Sequence, residues 1–124
     1  MTIDERLVAY LGAHAPLVAQ IGTGKVFLVK APPKTELDFV VVSKITGRRI
    51  GRLGYGAPLF QVSYFSNNQL RTLAGADILV AALDGHQDTW GSLLTSGSYQ
   101  EDRILEADGV FNALVEVRVK YLEV

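Results

Sequence analysis

The stretch GVFNALVEVRVKYLEV, Gly109–Val124, decides the fold. Val115, Val117, Val119 and Tyr121 fall on one side of it, and Glu116, Arg118 and Lys120 on the other. That is the period of two expected of a strand in a sheet with one covered face. Immediately before it stands Ala107-Asp108-Gly109. Asp-Gly between two strand-like runs is a hairpin signal, so a partner strand is expected around Tyr99–Glu106.

Working back along the chain, Thr95-Ser96-Gly97-Ser98 reads as a polar hinge behind a run at Thr89–Leu94. A helix is expected over Asn67–Asp84. Ser66 with Gln69 satisfies a capping box, and Leu73, Ala76, Val80 and Leu83 form an apolar stripe at helical spacing. Asp84-Gly85 supplies its stop. Gly75, inside the helix, costs about 1 kcal/mol relative to alanine and implies a close approach by a strand or a neighbouring subunit.

Earlier in the chain, Leu59–Phe65 alternates, with Phe60, Val62 and Tyr64 on one side. Asp38–Ile45 contains the β-branched run Val40-Val41-Val42, which suits a strand interior to the sheet. Lys25–Ala31 reads as a strand stopped by Pro32-Pro33. A short first helix capped by Thr2 or Asp4 ends near Gly12, and a second turn, Ala15–Ile21, carries Pro16 at its start. These elements imply one α+β domain over residues 1–124: an antiparallel sheet of four to five strands, one long helix packed on one face, and a short N-terminal helical segment.

Composition narrows the function. The 124 residues hold 12 Lys and Arg against 13 Asp and Glu, a net charge of -1. So neutral a balance gives no general affinity for nucleic acid or for a membrane surface. With no cysteine, disulfides, thiolate metal sites and cysteine nucleophiles are excluded. The acidic start Asp4-Glu5 is unlike a signal peptide, and no apolar run approaches the ~20 residues of a membrane span. A hydrophobic fraction of 48% and a mean hydropathy of +0.20 are high for a short chain. Either the chain self-associates, or it is a richly packed monomer.

Side chains capable of chemistry are present but scattered. His14 and His86 lack a second ligand at i+3 or i+4. The serines lack a nucleophile elbow. Gly22-Thr23-Gly24-Lys25 has the wrong spacing for a phosphate loop, and Val26 stands where Ser or Thr is needed. Glu101, Asp102, Glu106 and Asp108 read as a solvated strand face and turn. No catalytic, cofactor-binding or metal-ligating residue is therefore assigned. The one charge cluster is Arg48, Arg49 and Arg52, with Tyr55, in a glycine-rich segment spanning residues 46–57. It fits a solvated hairpin tip, an interface or lumen loop, or a nucleic-acid contact.

In this order and spacing the elements resemble the tail-completion proteins of long-tailed bacteriophages, the group that includes the tail terminators or tail-to-head joining proteins. The resemblance covers roughly residues 3–123. It is carried by the leading helix, "APLVAQIG", "LDFVVVSKITG", "FQVSYFS" leading into "LAGADILVAALDG", and "EDRILEADGVFNALVEVRVKYLE". The 46–57 segment follows the pattern least.

The resemblance implies a non-enzymatic structural virion protein without cofactors, assembled in the host cytoplasm. Its partners would be copies of itself in a ring, usually a homohexamer, together with the tail tube protein and the head-completion or connector protein. The ring would stop tube polymerisation and join tail to head, and DNA would pass its lumen without sequence-specific binding. The alternatives are a head-closure or tail tube component with a similar domain, or a nucleic-acid-binding module using Arg48, Arg49 and Arg52.

Overall fold

A computed structural model describes residues 2–46, 49–50, 55–90 and 93–123. Two helices lead the chain: α1 (Ile3–Gly12) and α2 (Ala15–Ile21). Thr2 caps α1 through a reciprocal capping box with Glu5. Strands β1 (Val26–Leu28) and β2 (Phe39–Thr46) follow, then the two-residue strands β3 (Arg49–Ile50) and β4 (Tyr55–Gly56), then β5 (Leu59–Ser66). Helix α3 (Gln69–Leu83) precedes β6 (Gln87–Trp90), β7 (Leu93–Ala107) and β8 (Val110–Glu123).

This architecture corrects the expected antiparallel sheet of four to five strands carrying one long helix. Among the described residues eight strands form one mixed sheet, six of them in a continuous series, and three helices accompany it. The six run β1-β2-β5-β8-β7-β6, and β3–β4 extend the sheet beyond β5 along β8. The sheet is mixed because β1 pairs with β2 in parallel, Val26 against Val40 and Leu28 against Val42. The Pro32-Pro33 segment returns the chain so that both strands run the same way.

The expected polar hinge at Thr95–Ser98 is strand instead. Thr95–Ser98 lies inside β7, paired with β6 on one side and β8 on the other at Ser96. Thr95 is buried and donates from Oγ1 to the Asp88 carbonyl at 3.2 Å, which makes a hydroxyl tolerable there. The β7–β8 hairpin closes through Asp108 (φ 53°) and Gly109 (φ 79°), the paired left-handed conformations of a type I′ turn.

One parity of the sheet builds the core. Val40 and Val42 of β2, Phe60, Val62 and Tyr64 of β5, and Ala113, Val115, Val117 and Val119 of β8 are all buried in one cluster. Leu7 and Leu11 of α1, Leu17 of α2 and Leu79 and Leu83 of α3 close it from above. The opposite parity, including Phe39, Phe65, Glu116 and Arg118, forms a face that carries no helix among the described residues.

Helix α3 departs from its expected cap and face. Its N-cap is Asn68, whose Oδ1 accepts from the Arg71 amide at 3.1 Å. Ser66 is still the last residue of β5, opposite Phe111. The buried side is Thr72, Gly75, Ala76, Leu79, Ala82 and Leu83. Leu73, expected in the core stripe, is 44% exposed. Small residues at 75, 76 and 82 let the helix lie close to the sheet, and that selects a face rotated from the Leu73–Val80 line.

Candidate functional site

The residues expected to carry function fall in and around two short strands. Arg48 and Arg52 lie outside the described residues. Arg49 is in β3 and Tyr55 in β4, where Arg49 pairs with Gly56 and Ile50 with Tyr55. The β3–β4 pair has its root against the far end of β8, through Tyr55 opposite Leu122 and Gly56 opposite Tyr121. Arg118 fixes that root by donating from Nη1 to the Ala57 carbonyl at 2.7 Å. The Val119 amide donates to the Pro58 carbonyl at 3.1 Å.

Two partly buried polar clusters that carry no sequence motif tie elements together. In the first, Asp38 Oδ2 accepts from Tyr64 OH at 2.7 Å and from Arg71 Nε at 2.8 Å. Gln20 Nε2 donates to Tyr64 OH at 2.9 Å, and Arg71 Nη2 donates to the Gln20 carbonyl at 2.7 Å. The set joins α2, the start of β2, β5 and α3. Burial works to raise the Asp38 carboxyl, but hydrogen bonds from Tyr64, Arg71 and Ser66 outweigh it and hold the group below its ordinary value. Burial and the neighbouring Asp38 carboxylate push the Tyr64 phenol up to about 12. An ionised aspartate held by a protonated tyrosine and an arginine acts as a clamp between elements.

In the second cluster the rings of Tyr10, His86 and Trp90 pack three ways against one another, at centroid distances of 5.3 Å (Tyr10–His86), 5.2 Å (His86–Trp90) and 5.1 Å (Tyr10–Trp90). Its Nδ1 faces the Leu83 carbonyl at 3.1 Å and so donates to it. Tyr10 OH donates to the Ala82 carbonyl at 2.8 Å, and Arg6 Nη1 to the Trp90 carbonyl at 2.7 Å. These rings seal the C-terminal end of α3 against α1 and β6. Burial raises the Tyr10 phenol, with a smaller contribution from Asp88. Aromatic stacking of this kind adds about 0.5–1.5 kcal/mol to area burial. His14 and His86 do not converge on a shared site, and no group of three or more His, Cys, Asp or Glu able to hold a metal exists among the described residues.

What the molecule does offer is surface. The outer side of α3 presents Leu70, Leu73, Ala74, Asp77 and Ala81, with Leu70 76% exposed. A helix apolar on both sides is ordinarily one that something covers on both sides. On the helix-free face, the curl of β6, β7 and β8 forms a groove of about 520 Å³. Leu94 and Leu122, register partners that are 49% and 42% exposed, lie in it beside Ser96 and Lys120. Beyond Gln100, β7 runs along β8, whose other side pairs with β5, and its residues Glu101, Asp102, Arg103, Leu105 and Glu106 are exposed. No described helix is long and apolar enough to cross a membrane.

Comparison with solved structures finds this fold elsewhere. A chain from the virion of a native gene transfer agent particle superposes with a TM-score of 0.78 at 13% identity, over 97% of this chain and 94% of that one. A second solved chain, bearing no functional name, superposes with a TM-score of 0.64 at 13% identity, over 98% and 91%. No family model and no curated protein matches the sequence. The likeness is thus one of fold, running end to end in both proteins.

Proposed function

We propose that this chain is a structural, non-enzymatic virion protein that assembles as a ring, six subunits in number, at the head-proximal end of a phage-type tail. There it ends tube polymerisation, joins the tail to the head connector and leaves an opening through which DNA passes. The observation that carries the reading is the end-to-end likeness to a chain of a gene transfer agent virion, with neither chain leaving a large unmatched part. Two surface features agree with it. An apolar outer helix side and an apolar groove on the opposite face of the sheet are what a head-to-tail contact needs, since such a contact joins two different patches and closes into a ring when the rotation permits. In the first of the two clusters, Asp38, Tyr64 and Arg71 are engaged in hydrogen bonds that join α2, β2, β5 and α3. The hairpin bearing Arg49 and Tyr55, rooted on the end of β8, contacts the tube or the connector.

Negative-stain electron microscopy and native mass spectrometry of the protein, alone and with tail tubes, test this reading. Closed rings, or caps on tube ends that halt elongation, are expected. Incorporation along the tube length would move the protein to the tube class. A species that stays monomeric at every concentration and never decorates a tube overturns the reading, as would catalytic turnover lost on substituting His86. Arg49→Ala is expected to leave the melting temperature nearly unchanged and to weaken capping or docking.

A further inference from the structure

We propose that the ring contact is made by the outer side of α3 from one copy seated in the β6–β7–β8 groove of the next. The inference rests on the ring reading and deepens it by naming the two surfaces. Helical geometry puts Leu70, Leu73, Ala74, Asp77 and Ala81 on one stripe, opposite the buried Thr72, Gly75, Ala76, Leu79, Ala82 and Leu83. Ala74 and Ala81 keep the stripe low, so it is a ridge led by two leucines. Asp77 is the one charged residue on it. Arg71 lies to the side and is already bound to Asp38 at 2.8 Å.

The groove has the complementary character. Leu94 and Leu122 give it an apolar floor, Thr89 and Ser96 are small, and Lys120 is the exposed charge of the same parity. Asp88 borders the groove too, but its register partner is the buried Thr95, which places its side chain on the helix-bearing face. A ridge with one acid therefore meets a trough with one base. The two surfaces point away from opposite faces of one sheet. Each copy can then use both at once, which an isologous pairing of two α3 ridges does not require. Exposed leucines flanking an opposite-charge pair give such a contact both affinity and register.

Charge reversal separates the possibilities. Asp77→Lys and Lys120→Asp, each alone, place like charges across every contact and should weaken self-association on the order of tenfold or more by sedimentation velocity. Mixing the two variants restores every contact in an alternating ring, so association should return to near the wild-type level. An α3-to-α3 contact would leave the self-association of Lys120→Asp at the wild-type level, which overturns the proposal.

Because the chain has no cysteine, a Leu73→Cys/Leu94→Cys variant reports the same contact covalently. Mild oxidation should give a ladder of multimers on a denaturing gel. Leu73→Cys alone should give no more than trace dimer. Rings by microscopy with neither cross-linking nor charge sensitivity would overturn this contact and leave the ring intact. Absence of any assembly, with or without tubes, would overturn the ring reading itself.

Discussion

Gly75 of α3 stands directly on the ring of Tyr64 in β5, and a methyl group built there would lie 2.5 Å from Tyr64 Cδ2. The ring has nowhere to go, because Tyr64 OH is held by Asp38 at 2.7 Å and by Gln20 at 2.9 Å. Gly75→Ala should therefore destabilise the protein by about 1–3 kcal/mol, even though alanine favours a helix by about 1 kcal/mol. Thermal denaturation checks the sign. Adding Tyr64→Val to Gly75→Ala removes the obstacle, so the loss in the double variant should fall short of the sum of the two singles. Strict additivity would mean the helix and strand are not in contact here.

The Asp38 clamp sets two pH limits. Its carboxyl is held below the ordinary value in the fold, so the stabilisation it gives is full above the normal carboxylate range and is lost as pH falls through the lowered value. Tyr64 has the opposite sign. Its phenol is pushed up to about 12, so stability is present at neutral pH and declines as pH rises from about 10 toward that value. Asp38→Ala should cost about 1–3 kcal/mol at pH 7 and flatten the acid limb of melting temperature against pH. An unchanged acid limb would show that other carboxylates control acid unfolding.

The parts of the fold legible in the sequence were those whose signal is local. Alternation separated the two faces of β5 and of β8, and Asp108-Gly109 named the turn between β7 and β8. Strand number was not legible, because Thr95 and Gly97 look like hinge residues and are in fact dictated by what lies above them. The face of α3 was ambiguous because leucine and alanine stand on both sides of it, and only the small residues facing Tyr64 settle which side is inside. The Asp38–Tyr64–Arg71 set joins residues 26 and 33 positions apart, with no sequence motif to announce it. The arginine cluster was visible as charge, yet its strand context at Arg49 and Tyr55 came only from pairing with the far end of the chain.

Gly97 offers a second close-approach test. A Cβ there would fall against the carbonyl oxygen of Leu83 and within 2.5 Å of His86 Nδ1. The backbone at this point is already committed, since the Gly97 amide donates to the His86 carbonyl at 3.0 Å and its own carbonyl accepts from Gly85 at 2.9 Å. Gly97→Ala should cost about 1–3 kcal/mol, and His86→Ala should not relieve it, because the Leu83 carbonyl cannot rotate away. Gly12→Ala is the control. Nothing lies within 4 Å of a Cβ at that position, so denaturant midpoints should rise by an amount equivalent to about 0.5–1 kcal/mol.

The two sides of α3 should answer the same substitution in opposite ways. Leu79→Asp puts an unpaired carboxylate where the native side chain is 0% exposed, against the core residues of β5 and β8. A loss of about 4 kcal/mol or more is expected, enough to unfold most domains of this size. Val117→Asp, also at a fully buried site, should behave alike. Leu73→Asp falls on the outer ridge, 44% exposed, and should change the unfolding free energy by less than about 1 kcal/mol. Its effect should appear instead as lost self-association, because it doubles the negative charge on a ridge proposed to sit in an apolar groove. A circular dichroism melt together with sedimentation velocity of the same samples separates folding from assembly. Equal destabilisation by Leu73→Asp and Leu79→Asp would mean the outer side of α3 is covered within a single chain, which removes the surface on which the proposed ring contact depends.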